Sequence, residues 1–155
     1  MHRTSPTALR ILVRSPPRGG AIIEFALIMP FLVVLLVGLC DLGFGFYESM
    51  QVQAAAEAGA QYATRHAWDA AAVATAVTDA TGAGGITATP APSKVCACPG
   101  GGTLTQIGCT STCRSGDPPG VYASVSAQLR YQTVLPYPGL PATLTLTGQT
   151  YRRLN

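Results

Sequence analysis

The pattern of hydrophobic and polar positions predicts two helices in the first half of the chain. Residues 25–40 form an apolar run without a charge, and residues 47–63 combine alanine with polar residues that favour helix. Residues 68–81 place apolar side chains at helical spacing, and a glycine-rich stop signal follows at 82–85. We therefore expect one long helix that leaves an apolar environment and continues as a stalk, and then a shorter second helix.

Beyond residue 85 the pattern changes to that of strands and turns. Residues 121–131 alternate over much of their length, as do residues 144–147, and the proline-rich linker 136–141 between them predicts an antiparallel pair. The predicted fold class is therefore α+β. The segments with strand character are 86–89, 94–98, 121–134 and 142–151.

The apolar run is long enough to span a membrane once its flanks are counted. Residues 25–40 alone give about 24 Å of helix, slightly less than the roughly 30 Å of a hydrocarbon core. Residues 21–23 and 42–46 supply the missing length. Glu24 and Asp41 then lie near opposite interfaces, away from the centre where an ionised acid costs on the order of 3 kcal/mol. Pro30 interrupts the run and predicts a kink or a local break.

Charge is distributed unevenly over the 155 residues, whose formal net charge is +3. Four arginines precede Gly19 with no acid among them, whereas the rest of the chain is close to neutral. Short arginine-rich segments beside a membrane helix stay cytoplasmic, which predicts that the remainder crosses to the far side. The near-neutral remainder does not support a nucleic-acid-binding face.

An apolar run near the amino terminus is also typical of exported proteins with a signal sequence. This run exceeds the roughly 7 to 15 residues of a cleaved secretory signal, and no small-x-small site closes it. A lipoprotein signal ending at Cys40 would require a small residue where Leu39 stands. An uncleaved signal anchor remains an open alternative.

Residues 19–63 resemble the processing site and first helix of type IV pilin-like precursors, and within that class the TadE-like family of tight-adherence pilus systems. The resemblance begins with Gly19, four further residues and Glu24-Phe25, and it continues through Pro30 in the apolar motif. It also includes the acid, apolar, glycine element 41–43 and the alanine-rich stretch 54–63. The family more often has glutamate at Asp41 and a basic residue at Gln61.

The resemblance implies that a prepilin peptidase cleaves the chain between Gly19 and Gly20 on the cytoplasmic side of the inner membrane. Glycines at this joint allow the chain to enter a protease cleft in extended form. Cleavage would make Glu24 the fifth residue of the mature chain, one helical turn from a new amine with which it can pair. Glu24, Phe25 and Pro30 are therefore the residues expected to set register during assembly.

The function implied is that of a TadE-like minor pilin or pseudopilin, an assembly component of a tight-adherence pilus or a related secretion system. Its partners would be other pilins or pseudopilins, the pilus assembly platform and the prepilin peptidase. The alternative is an uncleaved, single-pass periplasmic binding or adhesion protein.

The same implication divides the chain into three parts. Residues 1–19 would be a cytoplasmic leader, residues 20–63 a transmembrane and stalk helix, and residues 64–155 a periplasmic α+β domain with a cysteine-rich loop at 95–114. The protein would cross the inner membrane once, with its amino terminus in the cytoplasm, and could associate with the pilus.

Four of the five cysteines lie close together in the predicted loop. An oxidising compartment favours two disulfides with three possible connectivities, and we favour links between the two clusters because bridging within C-x-C is strained. A zinc site of four thiolates is the alternative, although the spacing departs from the usual C-x-x-C pairs. These cysteines are Cys96, Cys98, Cys109 and Cys113.

An enzymatic function is poorly supported by the sequence. The chain has two histidines and one lysine, and it contains no nucleophile elbow, phosphate loop or metal-binding helix motif. We therefore expect no catalytic residue, cofactor or metal. His66 is expected to bond the last carbonyls of the stalk helix, and Trp68 to anchor a small core.

Overall fold

The computed structural model describes residues 20–134 and 141–154. Contacts divide the chain into two compact units, one ending at Val37 and the other beginning at Gly38. The predicted α+β class is confirmed, with two helices followed by a four-stranded antiparallel sheet. The elements in chain order are α1 (Gly20–Arg65), α2 (Ala70–Thr78), β1 (Ser93–Gly100), β2 (Thr103–Gln106), β3 (Gly120–Gln132) and β4 (Thr143–Arg153).

Helix α1 includes both the apolar run and the alanine-rich stretch, as the sequence predicts. It begins at Gly20, ends at Arg65 and contains Pro30. The helix is not interrupted at Pro30, so a local break does not occur there, whereas a kink remains a prediction. The most apolar part of α1 is not covered by the rest of the described chain. The helix is long and apolar enough to cross a membrane.

Helix α2 is shorter than the predicted range of 68–81 at both ends: Asp69 caps its start, and it ends at Thr78. The Asp69 backbone is extended, and its carboxylate accepts hydrogen bonds from the amides of Ala71 and Ala72. An aspartate at this position satisfies amides that have no partner inside the helix. Trp68, directly before this cap, packs against the core as expected, and the Lys94 ammonium lies 5.4 Å from its ring centroid.

The sheet has the strand order β2-β1-β3-β4, and every neighbouring pair is antiparallel. The predicted pairing of the two long strands is confirmed, with a register that runs without a gap from Tyr122↔Arg153 to Gln132↔Thr143. Residues 136–140 of the proline-rich linker predicted between them lie outside the described residues.

Two strand predictions differ from the structure. Strand β2 was not expected; it follows β1 through a tight turn in which Gly101 and Gly102 have positive φ angles of 57° and 85°. The predicted strand at 86–89 is reduced to one isolated bridge, Thr87↔Gln128. Gly85, directly before this bridge, has a φ of 89°, a conformation that glycine adopts without strain.

The core lies between the second half of α1, helix α2 and one face of the sheet. Alternate residues of β3 point into it, as expected for a strand with one buried face. Gly59 allows the close approach of these elements, because a Cβ atom there would strike the Val77 side chain and lie 3.1 Å from a Val125 methyl. The fully or largely buried members are Val52, Ala55, Ala56, Ala60, Ala63, Val73, Val77, Ile86, Ala123, Val125, Ala127 and Leu129.

Strand β3 runs antiparallel to α1 along this core. Gly59 lies against Val125, and Gly45 lies 3.7 Å from the Tyr131 ring, measured from the position of a Cβ atom. Gly59 and Gly45 are about 21 Å apart along the helix at 1.5 Å per residue. Val125 and Tyr131 are about 20 Å apart along the strand at 3.3 Å per residue. The matching lengths carry the end of β3 to the part of α1 that begins at Asp41.

Candidate functional site

Only part of the predicted processing site lies within the described residues. Gly19 lies outside them, and Gly20 is the first described residue of α1. Glu24 and Phe25 are exposed on α1. Within the described ranges Glu24 forms no ion pair, so this part of the chain gives its carboxylate no internal neutralising partner.

The surface of α1 around Pro30 is apolar and uncovered. Large aliphatic and aromatic side chains are exposed on every side of the helix, and a cluster of apolar residues including Pro30, Phe31, Val34 and Leu35 lines a shallow surface groove. A helix that is apolar all round requires burial in lipid or against other helices. The arrangement therefore fits a membrane anchor.

Asp41 ends the apolar run in a very different environment, since only 4% of its surface is exposed. Its carboxylate accepts hydrogen bonds from the Tyr131 hydroxyl and from the Val134 amide, the latter at 3.3 Å, and its backbone carbonyl accepts from Tyr131 at 2.9 Å. Buried carboxylates require such donors. Asp41 therefore fastens the end of β3 to α1.

A second face of α1 in this region carries no part of the sheet. Cys40, Gly43, Phe44 and Tyr47 line a shallow and mostly apolar groove on the helix surface. A Cβ atom at Gly43 would meet nothing within 4 Å in the described chain. Asp41 and Gly45 contact the β3 end, so Gly43 is available for an approach from outside.

The four clustered cysteines form two disulfides that link the predicted clusters. Cys96 pairs with Cys109 and Cys98 with Cys113. The structure thus selects one of the three connectivities and agrees with the preference for links between clusters. Both bonds join β1 to the loop that follows β2, while Cys40 is a free and exposed thiol.

The amino-terminal part of the chain is similar to a known protein family. Residues 19–61 match the family model described as TadE-like protein. The resemblance expected from the sequence is confirmed over this segment, which is less than half of the chain, and it suggests a pilus-related protein. No curated protein and no solved structure matches the chain significantly.

The segment that matches the family model, residues 19–61, contains Asp41 but not the groups that donate hydrogen bonds to it. Tyr131 and Val134 lie far outside the matched residues, and sequence reasoning did not identify them. The alternation of β3 offered one signal, because residue 131 falls on the same face as the core residues at 125, 127 and 129. The separation of 90 residues between Asp41 and Tyr131 left no local pattern that could join them.

His66 directly follows α1 and lies where the sequence predicts. Its Nδ1 atom lies 3.1 Å from the Tyr62 carbonyl oxygen, and its ring stacks on the Tyr62 ring at a centroid distance of 4.1 Å. These contacts help to satisfy a carbonyl at the end of α1.

Proposed function

We propose that the protein is a TadE-like minor pilin or pseudopilin that acts by assembly in a tight-adherence pilus or a related secretion system. The observation that carries the proposal is that the family match falls on the uncovered apolar helix. The match covers residues 19–61, and the apolar side chains of α1 within it are exposed. In this proposal the helix crosses the inner membrane once and the domain that follows lies in the periplasm.

Processing between Gly19 and Gly20 would create a charged partner for the exposed Glu24 carboxylate. A prepilin peptidase would remove the arginine-rich leader and leave a free amine at Gly20, about one helical turn from Glu24. In lipid, an ammonium and a carboxylate that meet neutralise two costly charges together. If the amine comes from a neighbouring subunit, the pair fixes the axial register between subunits.

Lateral packing of α1 against other pilin-like helices would supply most of the contact. Helices in lipid associate through close van der Waals packing, for which small residues at the contact are favourable. The groove beside Gly43 and the apolar surface around Pro30 provide such contacts. The proposed partners are other pilins or pseudopilins and the assembly platform.

The first test is the intact mass and amino-terminal sequence of the protein isolated from its host membrane. A chain that starts at Gly20 is expected. A chain that starts at Met1 would refute processing and favour an uncleaved, membrane-anchored binding or adhesion protein. A chain that starts at a lipid-modified Cys40 would show a lipoprotein instead.

The second test is Glu24→Gln, which keeps the shape of the side chain and removes its charge. We expect normal membrane insertion and processing but impaired recovery of the protein with pilin partners or filaments. Glu57→Gln is the matched control, because Glu57 is also an exposed acid on α1, and it should assemble normally. Equal assembly of the two variants would remove Glu24 from the mechanism.

A further inference from the structure

Within the described residues, no strand pairs with the outer edge of β4. β3 and β4 exchange backbone hydrogen bonds through the odd-numbered residues of β3 and the even-numbered residues of β4. At the two ends of the pair, the Leu154 amide donates to the Val121 carbonyl and the Thr133 amide donates to the Ala142 carbonyl. In an antiparallel ladder the intervening residues then point their N–H and C=O groups away from the partner. The outward residues are 143, 145, 147, 149, 151 and 153, and no other described backbone group pairs with them.

This edge lacks the features that usually prevent a strand from pairing with another chain. Edge strands are commonly short, bulged, charged or interrupted by proline. β4 has 11 residues in a gapless register, and residues 143–151 contain neither proline nor a charged side chain. All of the outward residues except Tyr151 are exposed.

The opposite edge of the sheet, β2, is open in the same way. Ile107 donates to the Cys96 carbonyl, so the odd residues near β2 face β1. The outward residues of β2 are therefore Leu104 and Gln106. β2 is also uncharged, and three of its four residues are exposed.

The order of the strands makes these two edges complementary. Three successive antiparallel pairings separate β2 from β4, so the two edge strands run in opposite directions. Copies that stand side by side in one orientation would bring β4 of one antiparallel to β2 of the next, and the sheet would continue in its own pattern.

We propose that β4 pairs with β2 of a second copy of this chain. The inference rests on the proposed function, which holds the copies in one membrane with one orientation. Antiparallel pairing of two β4 strands would require one copy to be inverted. Parallel pairing of two β4 strands would bring Arg152 and Arg153 of both copies together, and like charges on neighbouring strands are unfavourable.

The paired segment is short, because β2 presents only two outward residues. The contact is therefore expected to be weak between isolated domains. Confinement of the helices in one membrane raises the effective concentration of the two edges and makes the contact detectable there.

Photo-crosslinking in the intact membrane tests the pairing. A benzophenone amino acid at Thr147, on the exposed β4 edge, should give a covalent dimer whose crosslink maps to residues 103–106 of the second copy. The same group at Thr78, exposed on α2, is the control. A yield at Thr147 no higher than at Thr78, or a crosslink to β4 of the second copy or to a different protein, would overturn the proposal.

Backbone substitutions then test the hydrogen bonds themselves. Thr147→Pro removes one outward N–H and leaves the ladder to β3 intact, whereas Thr147→Val keeps that N–H. With the crosslinker moved to Gln149, the dimer should fall about fivefold in the proline variant, the factor expected for one backbone hydrogen bond, and should persist in the valine variant. Leu104→Pro should act equally from the β2 side, and an unchanged yield in both proline variants would refute the pairing.

Amino-terminal sequencing of the same samples separates this inference from the proposed function. A chain that starts at Gly20 but gives no β4 to β2 crosslink contradicts only the pairing. A chain that starts at Met1 contradicts the processing whether or not the crosslink forms.

Discussion

At the scale of single residues, the two acids that flank the apolar run of α1 lie in opposite environments. Glu24 is exposed and has no ion pair within the described ranges, whereas Asp41 is buried and accepts hydrogen bonds from Tyr131 and Val134. The first acid is therefore available to another molecule, and the second serves the fold of its own chain. This division is consistent with the proposed role of Glu24 in assembly, whereas Asp41 attaches the sheet to α1.

Tyr131→Phe tests the role of Asp41, because it removes a donor from a buried carboxylate without changing the ring. We expect the free energy of unfolding to fall by about 1–3 kcal/mol, the range for removing one partner of a buried polar group. Denaturant unfolding of the full chain in detergent measures the change.

Tyr47→Phe is the matched control for this prediction. The Tyr47 hydroxyl accepts a hydrogen bond from Gln51 on the exposed surface of α1, so its loss should change stability little. If Tyr131→Phe lowers the free energy of unfolding no more than Tyr47→Phe does, the Tyr131 hydroxyl does not stabilise the attachment of β3 to α1.

The sequence placed the acids but could not supply the partners of Asp41. The positions of Glu24 and Asp41 followed from helix length and the apolar run, both of which are local. The partnership with Tyr131 depends on how β3 lies along α1, and the glycines that bring the sheet close to the helix, Gly59 and Gly148, gave no signal of what they would contact. Long-range contact was therefore the part of the site that remained hidden.

At the scale of elements, Gly148 controls how closely β4 approaches α1. A Cβ atom there would lie 2.8 Å from the Gln53 Cα atom and 2.9 Å from the Val52 carbonyl oxygen, and these backbone atoms cannot move aside as a side chain can. Gly148→Ala should therefore destabilise the fold by about 1–3 kcal/mol, the usual cost of overpacking. Thermal unfolding of the full chain measures it.

Gly43→Ala provides the matched control on the open face of α1. A Cβ atom at Gly43 would meet nothing in the described chain, and alanine is favoured over glycine within a helix. The substitution should leave stability unchanged or raise it slightly. A loss of stability equal to that of Gly148→Ala would contradict the packing of β4 against α1.

The disulfides make a second prediction at this scale. The unreduced, denatured chain should expose one reactive thiol, that of Cys40, and should expose five after reduction. The zinc alternative would expose all five once a chelator is added without a reductant. Thiol titration with and without chelator distinguishes the two, and a count of five before reduction would reject both disulfides.

Elements were predictable where the pattern was long and regular. Strand β3 alternates over its core face and pairs with β4 as expected, and the length of α1 followed from its apolar and alanine-rich stretches. The segment 86–89 forms only one bridge to β3, because the Thr89 amide bonds the Thr87 carbonyl and does not continue the ladder. Strand β2 was missed because the turn at Gly101 and Gly102 and the two disulfides, rather than hydrophobic periodicity, define the hairpin.

At the scale of the whole molecule, the second half of α1 belongs to the core of the sheet domain. The sequence predicts a domain that begins at residue 64, whereas contacts group everything from Gly38 onward into one unit. Val52 and Ala63 mark the ends of the helical segment that lines the core. A domain without that segment would lose one wall of its only described core.

Truncated chains test where the domain begins. Residues 38–155 should unfold cooperatively in detergent, because the core and the Asp41 contacts are both retained. Residues 48–155 should fold with lower stability, since they keep Val52 but lose Asp41. Residues 66–155 should not fold, because removal of the α1 side chains exposes the apolar face of β3 to water. Near-ultraviolet circular dichroism of Trp68, which packs against the core, follows all three, and a cooperative transition in 66–155 would show that the stalk helix is dispensable for the fold.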